Sequence, residues 1–257
     1  MLRMVPFPVP GRIMAPYPTP TSHRIPRFPG AAAGPMLALT IFEDPMFERL
    51  FGRKQALAAN ALPVIRNVTI GRTVVLDPLA WRRFGSEPKF PFDGDTLQIV
   101  AQGLVKLDDG GFVHRFYTDD DVMFQAVSSD AAGNEVTDVT LFAPWRSLYP
   151  GSPAERPAWR ERLMARTFTD AGLPEYRRFW FGDEAPRQEP VTFWEDLHDD
   201  RDGVVDRRIF QTSMLFAREL AGDGIELLLA IDQESQGGDV SFEIMLGVVL
   251  ELGEFRA

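Results

Sequence analysis

Apolar and polar residues alternate along much of the chain, and this period of two predicts β-strands that bury one face. The clearest stretch runs from residue 95 to 127 and starts with five apolar residues interleaved with polar ones: Leu97, Ile99, Ala101, Val105 and Leu107. Residues 108–111 (DDGG) and 118–121 (TDDD) interrupt the alternation, and both aspartate and glycine favour tight turns. We therefore expect three antiparallel strands joined by two acidic turns.

The last third of the chain has the strongest strand pattern, over residues 209–220, 225–231 and 240–250. In the final segment the apolar residues fall on one face: Val240, Phe242, Ile244, Leu246, Val248 and Leu250. The helical patterns are short. Asp44-Pro45 and Asp77-Pro78 each predict the start of a helix, and a third helix is predicted over about residues 157–172. The pattern predicts an α+β fold, mostly antiparallel β-sheet with two or three short helices.

The order of the predicted strands and turns is similar in two parts of the chain. Residues 97–142 and residues 207–250 are both expected to form a strand, a tight turn, a strand, a glycine-containing loop and a further strand. A weak internal duplication would explain the similarity and would give two similar β halves, although many β-rich chains show such repeats of order.

The start of the chain differs from the rest in composition. Residues 1–35 hold nine of the 21 prolines, and proline disfavours both helix interiors and central strands. The sequence therefore predicts a disordered, proline-rich tail over residues 1–45, followed by a single domain over residues 46–257.

Composition excludes several classes of function. The chain has no cysteine, which rules out disulfides and thiolate chemistry and fits a cytoplasmic location. No apolar run approaches the roughly 20 residues of a membrane-spanning helix, so we expect no membrane insertion. The first 42 residues contain four arginines and no acidic residue, so the net charge of −10 leaves −14 on the remainder. Such an acidic surface repels phosphate groups, and we expect no nucleic-acid partner.

The sequence contains no recognisable catalytic arrangement. A phosphate-binding loop, a dinucleotide fingerprint and a serine-hydrolase elbow are all missing. The consecutive acids Asp119, Asp120 and Asp121 could ligate a hard cation, which keeps a metal-dependent enzyme open as an alternative. Acidic turns of this kind are usually solvated, so we assign no catalytic, cofactor-binding or metal-binding residue.

The same turn belongs to a candidate interaction surface. Arg115 and Tyr117 alternate with Phe116, so both polar side chains point outward if Phe116 packs in the core. They would then lie beside the acids at residues 119–121, where a guanidinium can bind a carboxylate. Arg115, Tyr117 and the three acids together, called the interaction ledge below, are our candidate site for a protein partner. Two aromatic segments, at residues 179–181 and 193–194, are an alternative recognition surface.

Several segments resemble the YjfK-like family of bacterial proteins. They include residues 46–52 (MFERLFG), 114–121 (HRFYTDDD), 214–220 (MLFAREL) and 226–229 (ELLL). The resemblance covers about residues 46–250 and implies no catalytic residue. Because genes of that family often lie beside genes for PspA-like envelope-stress proteins, it implies a PspA-like partner. We therefore expect a non-enzymatic accessory protein that acts by binding another protein.

Overall fold

The structure, a computed structural model, describes residues 62–108, 110–152 and 154–257. The proline-rich tail and the helix expected after residue 44 lie outside these residues. Within them the chain forms twelve strands: β1 (Thr73–Leu76), β2 (Thr96–Lys106), β3 (Phe112–Thr118), β4 (Met123–Ser128), β5 (Val136–Leu148), β6 (Thr167–Phe168), β7 (Tyr176–Arg178), β8 (Val191–His198), β9 (Arg207–Glu219), β10 (Ile225–Ser235), β11 (Val240–Leu250) and β12 (Phe255–Arg256). Two helices accompany the strands: α1 (Leu79–Arg82) and α2 (Glu155–Met164). None of the described helices is long and apolar enough to cross a lipid bilayer.

Eight of the strands close into an antiparallel barrel. Around the barrel they follow the order β2, β3, β4, β5, β11, β10, β9 and β8, and β8 pairs again with β2. The closing contact joins four residue pairs, from Gln102 with His198 to Val105 with Glu195. Closure gives the sheet an enclosed inner face, which an open sheet lacks.

The barrel consists of two four-stranded meanders. Strands β2–β5 form one meander and strands β8–β11 form the other, each with strands paired in their order along the chain. The last strands of the two meanders, β5 and β11, pair at one seam, and the first strands, β2 and β8, pair at the other. The arrangement shows two topologically similar halves. Their origin by duplication stays a prediction.

The prediction of an α+β fold is wrong, because the described residues form a β-barrel with only two short helices, of four and ten residues. Alternation located most strands, but it does not distinguish an open sheet from a closed one. Closure depends on the pairing of β2 with β8, and the paired residues are at least 90 positions apart in the chain.

Two layers cover the outside of the barrel. On one side, α1, β1 and β12 pack over an apolar surface that includes Phe116 and Phe124. On the other side lies α2, whose Trp159 ring stacks on Phe242 of β11 with 4.9 Å between ring centroids. Phe242, Ile244 and Leu246 are all buried, as the alternation predicted. Several strands therefore bury both of their faces, one inside the barrel and one under a covering layer.

Charged groups fix α2 to the barrel. Arg156 and Arg160 lie one helical turn apart, and the Nε atoms of both donate to Oδ2 of the buried Asp232 on β10, at 2.9 and 2.8 Å. At the other end of the helix, Arg178 Nη1 donates to the Met164 carbonyl at 3.2 Å. Cations near the carbonyl end of a helix also favour its dipole.

Candidate functional site: a cleft in the barrel wall

Arg115 lies on the inner face of the barrel. In the strand register it is directly opposite Gly103 on β2 and Gln125 on β4. Its Nη1 donates to Oε1 of Gln211 on β9 at 2.7 Å, although β2 and β8 separate β3 from β9. Side chains on strands so far apart meet only across the concave side of a curved sheet. The guanidinium therefore points into the barrel, and the residue is 2% exposed.

A network of side chains holds the guanidinium. Arg115 Nε donates to Gln125 Oε1 at 3.0 Å, and Nη1 donates to Glu195 Oε2 at 2.8 Å as well as to Gln211. The buried Glu195 carboxylate accepts two further hydrogen bonds, from the Tyr117 hydroxyl at 2.7 Å and from Gln211 Nε2 at 2.9 Å. The two opposite charges are thus paired and hydrogen-bonded, which is what a protein interior requires of buried charges.

The network also shifts the pKa values of Arg115 and Tyr117. Burial lowers the pKa of the Arg115 guanidinium, but Glu195 and Tyr117 together more than offset this effect, so the pKa lies above its ordinary value. Burial and the Glu195 carboxylate raise the pKa of Tyr117 well above its usual range. The Tyr117 hydroxyl therefore stays protonated and donates its hydrogen bond to Glu195.

Gly103 makes room for the Glu195 carboxylate. A Cβ atom at residue 103 would lie 1.8 Å from Glu195 Oε1, a distance at which the two atoms would overlap. Because β2 carries no side chain at this point, its two neighbours β3 and β8 can form an ion pair across it.

The barrel wall opens beside this network. The pairing of β2 with β8 ends at Val105 and Glu195, and beyond this pair lies a cleft of about 740 Å³. Its lining includes Arg115 from the inner face and Trp194 from the outer face. The cleft therefore passes through the wall, with the Arg115 network at its inner end.

Aromatic and aliphatic side chains make up ten of the 17 residues that line the cleft. Six rings contribute to it: Phe112, Trp180, Phe181, Phe193, Trp194 and Phe210. At the mouth, Trp194 is 52% exposed and its ring centroid lies 5.2 Å from that of Phe210. Farther in, the Arg115 guanidinium lies over the Phe193 ring, 5.3 Å from its centroid. The cleft thus brings together the two aromatic segments that the sequence analysis singled out.

The structure separates the residues of the predicted interaction ledge. Phe116 is buried as expected, but it faces the covered outside of the barrel, so Arg115 and Tyr117 point inward. The expected outward orientation is wrong because both faces of β3 are buried. Residues 119–121 form the turn between β3 and β4 and are exposed. Their role in binding a partner stays a prediction.

Metal-ligating side chains do not cluster in the part of the chain that the structure describes. Within it, no group of three or more histidine, aspartate or glutamate side chains is arranged to hold a metal ion. The acids at residues 119–121 are adjacent in sequence, but they do not converge on such a position.

Sequence reasoning missed Glu195 and Gln211, which complete the network. The sequence contained one signal for Glu195. It lies two residues from both Phe193 and Leu197, so in a strand its carboxylate is on the same face as two apolar side chains. No local pattern could show that its partner is Arg115, 80 positions earlier in the chain.

A known protein family matches most of the chain. The family model described as "Protein of unknown function (DUF2491)" matches residues 46–256, a range that contains both meanders and the whole cleft. Neither a search of curated proteins nor a search of solved structures found a match.

Proposed function

Because the chain belongs to the DUF2491 family, whose description assigns no activity, we propose a function from the cleft itself. The protein is a non-enzymatic binding protein that takes one small, mostly apolar molecule in the cleft of its barrel wall. The observation that supports this proposal is the cleft with its aromatic rings. The hydrogen-bonded ion pair of Arg115 and Glu195 lies at the inner end of this cleft.

The size and lining of the cleft support the proposal. Its volume of about 740 Å³ lies within the range of about 300–1,000 Å³ that is typical of small-molecule sites. Such sites are mainly apolar and aromatic and contain a few polar groups that orient the ligand. Eight-stranded antiparallel barrels are also wide enough to hold one small ligand.

The polar groups at the inner end of the cleft favour binding over proton-transfer chemistry. A general acid or base works best when its pKa lies near the operating pH. The pKa of Tyr117 is raised well above its usual range, and that of Arg115 is also raised. Glu195 already accepts hydrogen bonds from three side chains. These groups are therefore better suited to hold a ligand in a fixed orientation than to transfer protons.

A fluorescent dye provides the test. We expect the full chain to bind N-phenyl-1-naphthylamine, a neutral apolar dye, saturably and with enhanced emission. The half-buried Val191 lines the cleft, so the Val191→Trp variant should fill it and weaken dye binding by at least about tenfold. The control is Val204→Trp, the same change at a residue that is 58% exposed and outside the cleft. No saturable binding, or equal weakening in both folded variants, would overturn the proposal.

Binding to another protein is a second proposal, favoured by the exposure of residues 119–121 at the turn between β3 and β4. The YjfK-like assignment, a PspA-like partner and a cytoplasmic location belong to this proposal. A charge reversal at Asp120 tests it.

A further inference from the structure

Two hydrogen-bond donors at the inner end of the cleft have no partner among the described residues. Arg115 uses Nε and Nη1 to bind Gln125, Glu195 and Gln211, which leaves Nη2. Gln125 receives the Arg115 Nε hydrogen bond on Oε1, which leaves its amide nitrogen Nε2. Both residues line the cleft, and they are 2% and 5% exposed, respectively.

These donors favour a ligand that supplies a hydrogen-bond acceptor. A buried N–H group that loses water and gains no acceptor raises the free energy of the complex. A purely apolar molecule that displaced water from this end of the cleft would leave both nitrogens without a hydrogen-bond acceptor. An oxygen atom on the ligand would satisfy them instead.

The charge balance determines which kind of acceptor fits. Arg115 and Glu195 neutralise each other at 2.8 Å, and both are buried. The other charged residues of the lining are two of each sign, Lys106 and Arg208 against Asp108 and Asp196. A carboxylate or phosphate would therefore add an uncompensated negative charge close to Glu195. A carbonyl oxygen accepts from the same donors and adds no net charge.

On the basis of the proposed function, we infer that the ligand is an uncharged amphipathic molecule of the fatty ester or fatty amide class. Its apolar chain lies against the aromatic rings of the cleft. Its carbonyl oxygen accepts hydrogen bonds from Arg115 Nη2 and Gln125 Nε2. Charged single-chain amphiphiles of either sign bind more weakly.

Three amphiphiles with ten-carbon chains and different head groups test the inference. Methyl decanoate, decanoate and decyltrimethylammonium are each titrated against the dye-loaded full chain at pH 8, below the micelle concentration of each ion and the solubility limit of the ester. We expect the neutral ester to displace the dye at concentrations at least about tenfold lower than either ion, which corresponds to about 1.4 kcal/mol. Equal or better displacement by decanoate would overturn the inference while leaving the binding function intact.

A substitution at Gln125 separates the hydrogen bond from the general preference of an apolar cleft for neutral molecules. Gln125→Met removes the amide donor that would face the ligand and adds no charge. Binding of methyl decanoate should weaken at least about fivefold more than binding of the dye, which has no carbonyl oxygen to accept from residue 125. If the two bind more weakly by the same factor, the carbonyl contact at Gln125 is wrong. Failure of the natural chain to bind the dye would instead remove the proposed function, and the inference with it.

Discussion

Arg115 on β3 and Glu195 on β8 form an ion pair across the intervening strand β2, with 2.8 Å between Nη1 and Oε2. The pair joins one strand of each meander. It also forms the inner end of the cleft. The same two side chains therefore link the two meanders and shape the candidate site.

Substitutions at these two residues should be strongly coupled. Arg115→Met and Glu195→Met should each lower the free energy of unfolding by about 3–5 kcal/mol, because each leaves the other charge buried without a partner. The double variant should lose less than the sum of the single losses, by at least about 1 kcal/mol. Urea unfolding followed by tryptophan fluorescence measures all four chains. Additive losses would show that the two residues do not stabilise each other.

The absence of a side chain at residue 103 should be essential for stability. A Cβ atom on Gly103 would overlap Glu195 Oε1, so Gly103→Ala should destabilise the fold by about 2 kcal/mol or more through overpacking. The control is Gly253→Ala, where an added Cβ meets no atom within 4 Å. That variant should stay within about 0.5 kcal/mol of the natural chain. Similar losses in both variants would contradict the role of Gly103.

His114 is buried on β3 with a defined tautomer. Ser128 Oγ donates to the Asp130 carbonyl at 2.6 Å, so it accepts from His114 Nε2 at 2.9 Å. Nδ1 is then unprotonated, and it is buried without a partner among the described residues. Burial lowers the pKa of His114, and Asp130 offsets only part of this effect.

A lowered pKa in the folded chain makes the protein less stable in mild acid. As the pH falls below about 6.5, the unfolded chain binds a proton at His114 before the folded chain does, so the free energy of unfolding decreases. His114→Gln can still donate to Ser128 but does not titrate. Its free energy of unfolding should therefore decrease less than that of the natural chain between about pH 6.5 and 5. Identical pH profiles from urea unfolding would show that His114 titrates alike in both states.

Phe242 should carry a large share of the packing between α2 and β11. It is buried and stacks on Trp159, so Phe242→Ala should cost about 3–5 kcal/mol, the range for a truncated core phenylalanine. Leu252→Ala is the matched control, because Leu252 is exposed. Thermal and urea unfolding measure both variants. A cost below about 1 kcal/mol for Phe242→Ala would contradict its place in the core.

Charge reversal at the exposed turn should leave the fold unchanged. Asp120→Arg should alter the free energy of unfolding by no more than about 0.5 kcal/mol, because Asp120 is exposed. If a PspA-like protein binds at this turn, its purified form should be retained by the natural chain and lost by the variant in a pull-down. Equal retention by both chains would remove the turn as a binding site.

Alternation in the sequence located strands well because it depends only on neighbouring residues. Residues 225–231 were predicted to form a strand, and β10 spans Ile225–Ser235. The segment at 209–220 corresponds to β9, which spans Arg207–Glu219. Closure of the barrel could not be predicted in this way, because it rests on pairs such as Val105 with Glu195, which are distant in the chain.

The candidate site was predicted only in part, for a related reason. Arg115 and Tyr117 were singled out, but they were placed on the outer face because they alternate with Phe116, which was expected to pack in the core. Phe116 instead packs on the outer face under a covering layer of α1, β1 and β12, so Arg115 and Tyr117 lie on the inner face. The Glu195 carboxylate then becomes the only buried anion within reach of Arg115 in the described network.

The two seams of the barrel have a consequence for the order of folding. Each meander forms from strands that follow one another closely, whereas both seams join residues about 90 or more positions apart. Contacts between distant segments form slowly because the intervening chain must first lose its freedom. The cleft lies at the seam between β2 and β8, so it does not exist in either meander alone. A ligand of the cleft can therefore bind only after the two halves have joined, and it stabilises the joined state by RT ln(1 + [L]/Kd), which increases with ligand concentration.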